Sequence, residues 1–138
     1  MADETSFTII DDGRPAAVPA RVREGAVRLS REALEHATGW ALKPEGLCRD
    51  AVCVPLRGAP VESADGVDLA GVAAVLGRPL AVDVDERAAF LGVAAAERAR
   101  PLAAQEAPDF TLPDLAGRPH SLRQHRGKKV LLVAHASW

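Results

Sequence analysis

The stretch Val27-Arg28-Leu29-Ser30-Arg31-Glu32-Ala33-Leu34-Glu35-His36-Ala37-Thr38-Gly39-Trp40-Ala41-Leu42 changes period twice within sixteen positions. Val27 and Leu29 flank Arg28 in the alternation of a half-buried strand. Ser30 then offers a hydroxyl where a helix N-cap wants one, and Gly39 stands where the left-handed C′ residue belongs. Between them Ala33, Leu34 and Ala37 fall on one helical face. Trp40-Ala41-Leu42 leaves as a second strand. A strand, a short helix and a strand are therefore expected here. A similar pattern follows: Val67-Asp68-Leu69, a helix over Ala70 to Leu76, Gly77, and a strand Leu80-Ala81-Val82-Asp83-Val84. Val27 matches Val67, Leu29 matches Leu69, Gly39 matches Gly77 and Leu42 matches Leu80. An internal duplication and two independently capped helices both give this pattern.

Outward from these units, Phe7-Thr8-Ile9-Ile10 reads as a strand ended by the turn residues Asp11-Asp12-Gly13. Ala17 to Val22 pairs back onto it, and Pro19 is expected to keep that strand at a sheet edge. Lys43-Pro44-Glu45-Gly46 is a turn region before a strand over Ala51 to Leu56. Asp85-Glu86-Arg87 puts acidic residues where the first turn of a helix favours them, so a third helix is expected to run to about Arg98, with Phe90, Leu91 and Ala94 as its apolar stripe. Arg100 to Glu106 reads as a linker. The fold class is α+β: a small strand–helix–strand domain over residues 1–100, a linker over 101–106, and a separate segment over 107–138. The repeated unit of the first domain has some resemblance to the small repeats of copper-amine-oxidase N-terminal-like domains, which implies a scaffolding or binding module.

The 138 residues are 48% hydrophobic and 26% charged, an ordinary globular balance. Seventeen basic against 19 acidic residues leave a net charge of −2, which argues against a nucleic-acid face. No apolar run has the ~18 residues of a membrane span, and no basic region followed by an apolar stretch marks a secretory signal. A cytoplasmic protein is expected, with no membrane and no nucleic-acid partner. Two cysteines make no disulfide framework.

From Ala107 the character changes. Ala107-Pro108-Asp109-Phe110, Leu112, Asp114 and Gly117 describe a strand, a turn and a return. Ser121-Leu122 begins one helical turn that Arg126-Gly127-Lys128 closes. Lys129 to Trp138 is an apolar run of buried-strand type. These matches, with the strand Val130 to Val133 and the closing Ala136-Ser137-Trp138, resemble the opening of the redoxin group of the thioredoxin superfamily. That group includes peroxiredoxins of the alkyl hydroperoxide reductase and thiol-specific antioxidant type, and the related thiol–disulfide reductases.

The resemblance implies the first β elements of a thioredoxin-like fold, incomplete here. It implies a nucleophilic cysteine directly after Trp138, flanked by His135, Ser137 and Trp138, and no catalytic residue or metal site within the 138 residues. A strand end leading into a helix N-terminus is where thiolate chemistry is favoured. A truncation, a natural stand-alone chain, and a UGA codon read as stop but encoding selenocysteine would each end the sequence at this point. A selenol is ionised at neutral pH and suits thiol exchange. The function expected is a thiol- or selenol-dependent oxidoreductase acting on a peroxide or a disulfide, with a thiol reductant and no bound cofactor, and inactive without the residue after Trp138. The alternative is a non-catalytic binding or dimerisation module built on residues 1–100, for instance a homodimer.

Cys48 and Cys53, spaced Cys-x4-Cys, are a candidate redox pair that exchanges electrons with that centre, with Arg49 favouring a thiolate on Cys48. Two small apolar residues on a hairpin give the same spacing. Of the remaining histidines, His36, His120 and His125 are expected on solvated surfaces. Asp83 and Asp85 fit a strand end and a helix cap. No phosphate loop or Ser–His–Asp arrangement is present.

Overall fold

The computed structural model describes residues 4–136. In chain order the elements are β1 (Thr5–Asp11), β2 (Arg14–Arg23), β3 (Ala26–Leu29), α1 (Arg31–Thr38), β4 (Ala41–Lys43), β5 (Gly46–Arg49), β6 (Val52–Val54), β7 (Glu62–Ser63), β8 (Gly66–Asp68), α2 (Leu69–Val75), β9 (Leu80–Asp83), β10 (Ala88–Leu91), α3 (Ala95–Ala103), β11 (Thr111–Pro113) and β12 (Pro119–Ser121), followed by a 3-10 turn at Leu122–His125. The architecture is mixed α+β. The chain divides into two compact units, residues 1–99 and 100–138, and the division falls inside α3. No helix among the described residues is long and apolar enough to cross a membrane.

The first unit is built on a seven-stranded sheet of order β7-β8-β3-β2-β1-β10-β9. All neighbours run antiparallel except β1 and β10, which are parallel with Thr8 opposite Ala88 and Asp11 opposite Leu91. Period-2 burial decides which face turns inward: Phe7, Ile9 and Asp11 on β1, Val18 and Ala20 on β2, Val27 and Leu29 on β3, Ala89 and Leu91 on β10. Helices α1 and α2 pack on that side, α1 on β1 to β3 and α2 on β3 and β8. The strands β4, β5 and β6 form a separate small sheet that adds Leu42 and Leu47 to the same core.

Helix α1 forms where its caps place it. Ser30 accepts a hydrogen bond from the Ala33 amide at 3.0 Å, and Gly39, at φ 70°, donates its own amide to the Glu35 carbonyl. The buried Thr38 hydroxyl donates to the Leu34 carbonyl and accepts from the Trp40 amide, which satisfies it fully. In the second unit of the pattern Asp68 caps α2 by accepting from the Gly71 amide. The strands that lead into the two helices pair antiparallel with each other, Leu29 opposite Val67. The strands that leave them diverge: β4 enters the small sheet, whereas β9 lies at the far edge of the large one.

Several expectations are corrected. Strand β2 is not an edge strand; it lies between β1 and β3. The two-residue turn Asp12-Gly13 makes Asp11 and Arg14 a hydrogen-bonded pair, so Pro15 and Pro19 fall on alternate positions whose nitrogens face away from β1. On the other side the ladder with β3 stops at Ala20–Leu29. Pro19 has no N–H to extend it, and the chain turns off at Ser30 into α1.

No helix spans Asp85 to Arg98. Asp83 accepts from the Glu86 amide, Arg87 takes φ 51°, and the acidic cluster forms the turn of the β9–β10 hairpin. Asp85 lies in that turn rather than at a helix cap. Ala89 and Leu91 are then buried alternately, which leaves Phe90 on the opposite face, 46% exposed. The helix begins only at Ala95 and continues through Pro101 to Ala103, so the first half of the expected linker, 101–106, is helical. The strand expected over Ala51 to Leu56 is shorter, Val52–Val54, and pairs antiparallel with β5. Gly46 opens β5 at φ +135°, and a Cβ there would collide with the Val54 carbonyl.

In the second unit β11 and β12 form a hairpin, with Leu112 opposite His120. The expected strand from Lys129 onward is absent as far as Ala136, and Leu131 is 88% exposed. A strand needs a neighbour to take its backbone hydrogen bonds, and among the described residues none pairs with it.

Leu34 is fully buried at the centre of the core. Leu34→Ala is expected to lower the unfolding free energy by about 2–5 kcal/mol in urea titration. Val82→Ala, at a site 39% exposed, should stay within about 1 kcal/mol of the parent.

Candidate functional site

The two cysteines lie opposite each other on the β5–β6 hairpin, whose turn is Asp50-Ala51 with Asp50 at φ 53°. Arg49 and Val52 flank a two-residue turn and form its hydrogen-bonded pair, so Cys48 and Cys53 occupy the adjoining non-hydrogen-bonded pair, where side chains approach most closely. Their Cα atoms are 4.1 Å apart and the sulfurs form a disulfide. Cys48 is buried, 4% exposed, whereas Cys53 is exposed. The bond closes a loop of only six residues, for which chain entropy gives a stabilisation of about 2 kcal/mol.

Arg49 does not serve a Cys48 thiolate. Its guanidinium stacks on Trp40 at 4.7 Å from the ring centre and lies 3.9 Å from Asp11. Gly39 leaves room for it: a Cβ there would stand 3.3 Å from Arg49 Cδ. Trp40 is a core residue, and its Nε1 has no hydrogen-bond partner among the described residues.

Asp11 also faces Arg78, and this ion pair is nearly buried on both sides. The contact is Coulombic rather than a directed hydrogen bond, because Asp11 Oδ1 has no partner of good geometry. Arg78 in turn donates from Nε to the Gly92 carbonyl at 2.7 Å and from Nη2 to the Leu91 carbonyl at 3.0 Å. One guanidinium thus joins the ends of β1 and β10 to the exit of α2. An open cleft of about 490 Å³ lies beside it, lined by Trp40, Arg49, Val52, Arg78 and Glu97 among others. In the sequence Asp11 reads as a turn residue, the first of Asp11-Asp12-Gly13. The available signal was the alternation Phe7, Ile9, Asp11, which puts a carboxylate on the inner face and calls for a cation. Nothing in Gly77-Arg78-Pro79 names Arg78 as that cation.

In the second unit, Asp109, Asp114 and Ser121 shape the backbone. Asp114 Oδ1 accepts from the Ala116 and Arg118 amides at 2.8 and 2.9 Å, and its Oδ2 accepts from Arg118 Nε and lies 3.1 Å from His120 Nε2. Asp109 accepts from the Arg123 amide at 2.9 Å and so holds the start of the 3-10 turn. The Ser121 hydroxyl meets Thr111 Oγ1 at 2.7 Å, and its amide donates to Gln124 Oε1. The Arg118 amide above all, then His120, holds the Asp114 carboxyl below the usual carboxylate range, and the Arg123 amide does the same for Asp109.

His135 is exposed in a stretch without regular structure. Ser137 and Trp138, the other expected flanks of the nucleophile, lie outside the described residues. His36 and His125 are exposed on the surface. Among the described residues no group of three or more His, Cys, Asp or Glu could hold a metal ion. Comparison with family models, curated proteins and solved structures finds no match.

Removing the carboxylate in Asp11→Ala leaves the Arg78 charge buried with only two carbonyls. The expected loss is about 3 kcal/mol in urea titration, against less than about 1 kcal/mol for Arg49→Ala, whose partner contact is half-exposed. Equal losses would mean that Arg78 does not depend on Asp11.

Because the Asp114 pKa is lowered by folding, its contribution is complete above the 3.8 of an unperturbed aspartate and is lost as pH falls through the lower folded value. Proton-detected titration of the Ala116 and Arg118 amides should show this midpoint below 3.8. It should disappear in Asp114→Asn.

Proposed function

We propose that the chain belongs to a thiol- or selenol-dependent oxidoreductase of the redoxin kind, with residues 107–138 as the opening of its thioredoxin-like module. The observation that carries this reading is the second unit itself. A hairpin closed by Asp114 and a turn capped through Asp109 and Ser121 follow one another in the order of the resemblance. After them, Val130 to Val133 is an apolar run that is exposed and without regular structure, the composition of a buried strand that would need neighbours elsewhere in such a module.

The nucleophile in this reading is the residue directly after Trp138. Its thiolate or selenolate attacks a peroxide oxygen, or one sulfur of a disulfide. The leaving alkoxide, hydroxide or thiolate departs with the electron pair. A second thiol then resolves the sulfenic or selenenic acid, or the mixed disulfide, and a thiol reductant returns the centre to its reduced form.

The open face of the large sheet favours a second reading for the first unit alone. Phe90 pairs with Ile10 and Ala81, and Ile10 with Pro15, so these side chains share the face opposite the helices. A non-catalytic binding or dimerisation module would use such a face.

The test is to read the native gene through the codon after Trp138 and to express the whole frame. A cysteine codon, or UGA with the frame continuing, is expected. The protein should then oxidise a dithiol in the presence of peroxide or a disulfide, and serine at that position should abolish turnover. UAA or UAG with no continuing frame, or turnover that survives the serine substitution, overturns the proposal. Self-association in sedimentation without redox turnover is the outcome that the second reading expects.

A further inference from the structure

We propose that the Cys48–Cys53 disulfide is an exchangeable two-electron couple that is reduced by a dithiol, with Cys53 as the sulfur attacked and Cys48 as the leaving sulfur. This inference rests on the first unit alone and stands independently of the redoxin reading.

Three observations carry it. The first is the asymmetry of exposure. Attack on a disulfide requires an approach to one sulfur along the line of the bond that breaks. Cys53 is open to solvent on the rim strand β6, whereas Cys48 is buried beside Leu47. Only one of the two sulfurs is offered to a bulky thiolate.

The second is redundancy. The bond joins residues that the β5–β6 ladder already holds opposite each other, five positions apart in sequence. It ties no distant segments together, so breaking it releases little of the chain. Both redox states are compatible with the same hairpin, which is what reversible exchange needs.

The third is a place for the proton. Cys48 Sγ lies 3.9 Å from the Gly46 carbonyl oxygen, within reach for the reduced thiol to donate to it. The buried leaving sulfur therefore need not persist as an uncompensated thiolate.

The exchange balances as follows. One thiolate of the dithiol bonds to Cys53 Sγ, the Cys48–Cys53 bond breaks, and the electron pair leaves on Cys48 Sγ, which takes a proton. The second thiolate of the dithiol attacks its own partner sulfur in the mixed disulfide and frees Cys53, which is protonated in turn. The dithiol is oxidised to a disulfide, and the two cysteines are reduced to thiols.

The experiment uses the folded 138-residue chain. Titration with dithiothreitol without denaturant should release two thiols per chain while the far-ultraviolet circular dichroism is retained. Cys48→Ser and Cys53→Ser are then treated with glutathione disulfide. The Cys48→Ser protein, which keeps Cys53, should form its mixed disulfide at least about tenfold faster than the Cys53→Ser protein. Because Ser at a buried position can unfold the chain, Cys48→Ala provides the same comparison with an apolar replacement. A disulfide that opens only after denaturant is added overturns the proposal, as do equal or reversed rates of mixed-disulfide formation.

Discussion

The first unit depends on a single guanidinium. Arg78 sits between the carboxylate at the end of β1 and the carbonyls that close β10, and it does so from the loop that leaves α2. The strands β1 and β10 form the parallel pair in the large sheet, and no hairpin sets their register. In an antiparallel ladder the turn fixes which residues face each other. Here Arg78 takes that part, reading one strand through its side-chain charge and the other through its main chain. A buried ion pair adds little net stability, but breaking it is costly, so it acts by penalising misalignment.

That arrangement also organises the surface around it. Asp11 draws Arg49 toward itself, Arg49 covers Trp40, and Gly39 is small enough to let it pass. The hairpin that bears Arg49 is the one that bears the two cysteines. The two cysteines of the first unit are thus mounted on a short strand pair whose ladder already holds them opposite each other.

How much of this was legible in the sequence follows from which signals are local. Ser30 and Gly39 act within four residues of themselves, and α1 stands where they put it, whereas Asp68, read as part of the strand before α2, turns out to be that helix's cap. The turn at Asp12-Gly13 is equally local. The misreadings come from competition. Asp85-Glu86-Arg87 suits a helix start and a turn alike, and the alternation of Ala89 and Leu91 against the core decided for the turn. Pro19 was read by a rule about edges, and it obeys that rule only on one side of its strand, where the neighbouring ladder ends. At the candidate site the Cys-x4-Cys spacing was visible and the hairpin was one of its two readings. Arg78 was not visible, because its partners are distant in sequence and its own neighbours carry no pattern. In the second unit, Asp109, Asp114 and Ser121 serve the backbone of a hairpin and a turn, and their hydrogen bonds are local.

The parallel pairing of β1 with β10 has a consequence for the order of assembly. Hairpins β1–β2 and β2–β3 close over two-residue turns and can form as soon as they are made. The partner of Thr8 is Ala88, so the sheet stays unfinished, with one side of β1 bare, until nearly the whole first unit has left the ribosome. We expect β9 and β10 to arrive together as a hairpin and to dock as the slow step. During that interval the exposed edge of β1 is the place where a nascent chain would need protection from its neighbours.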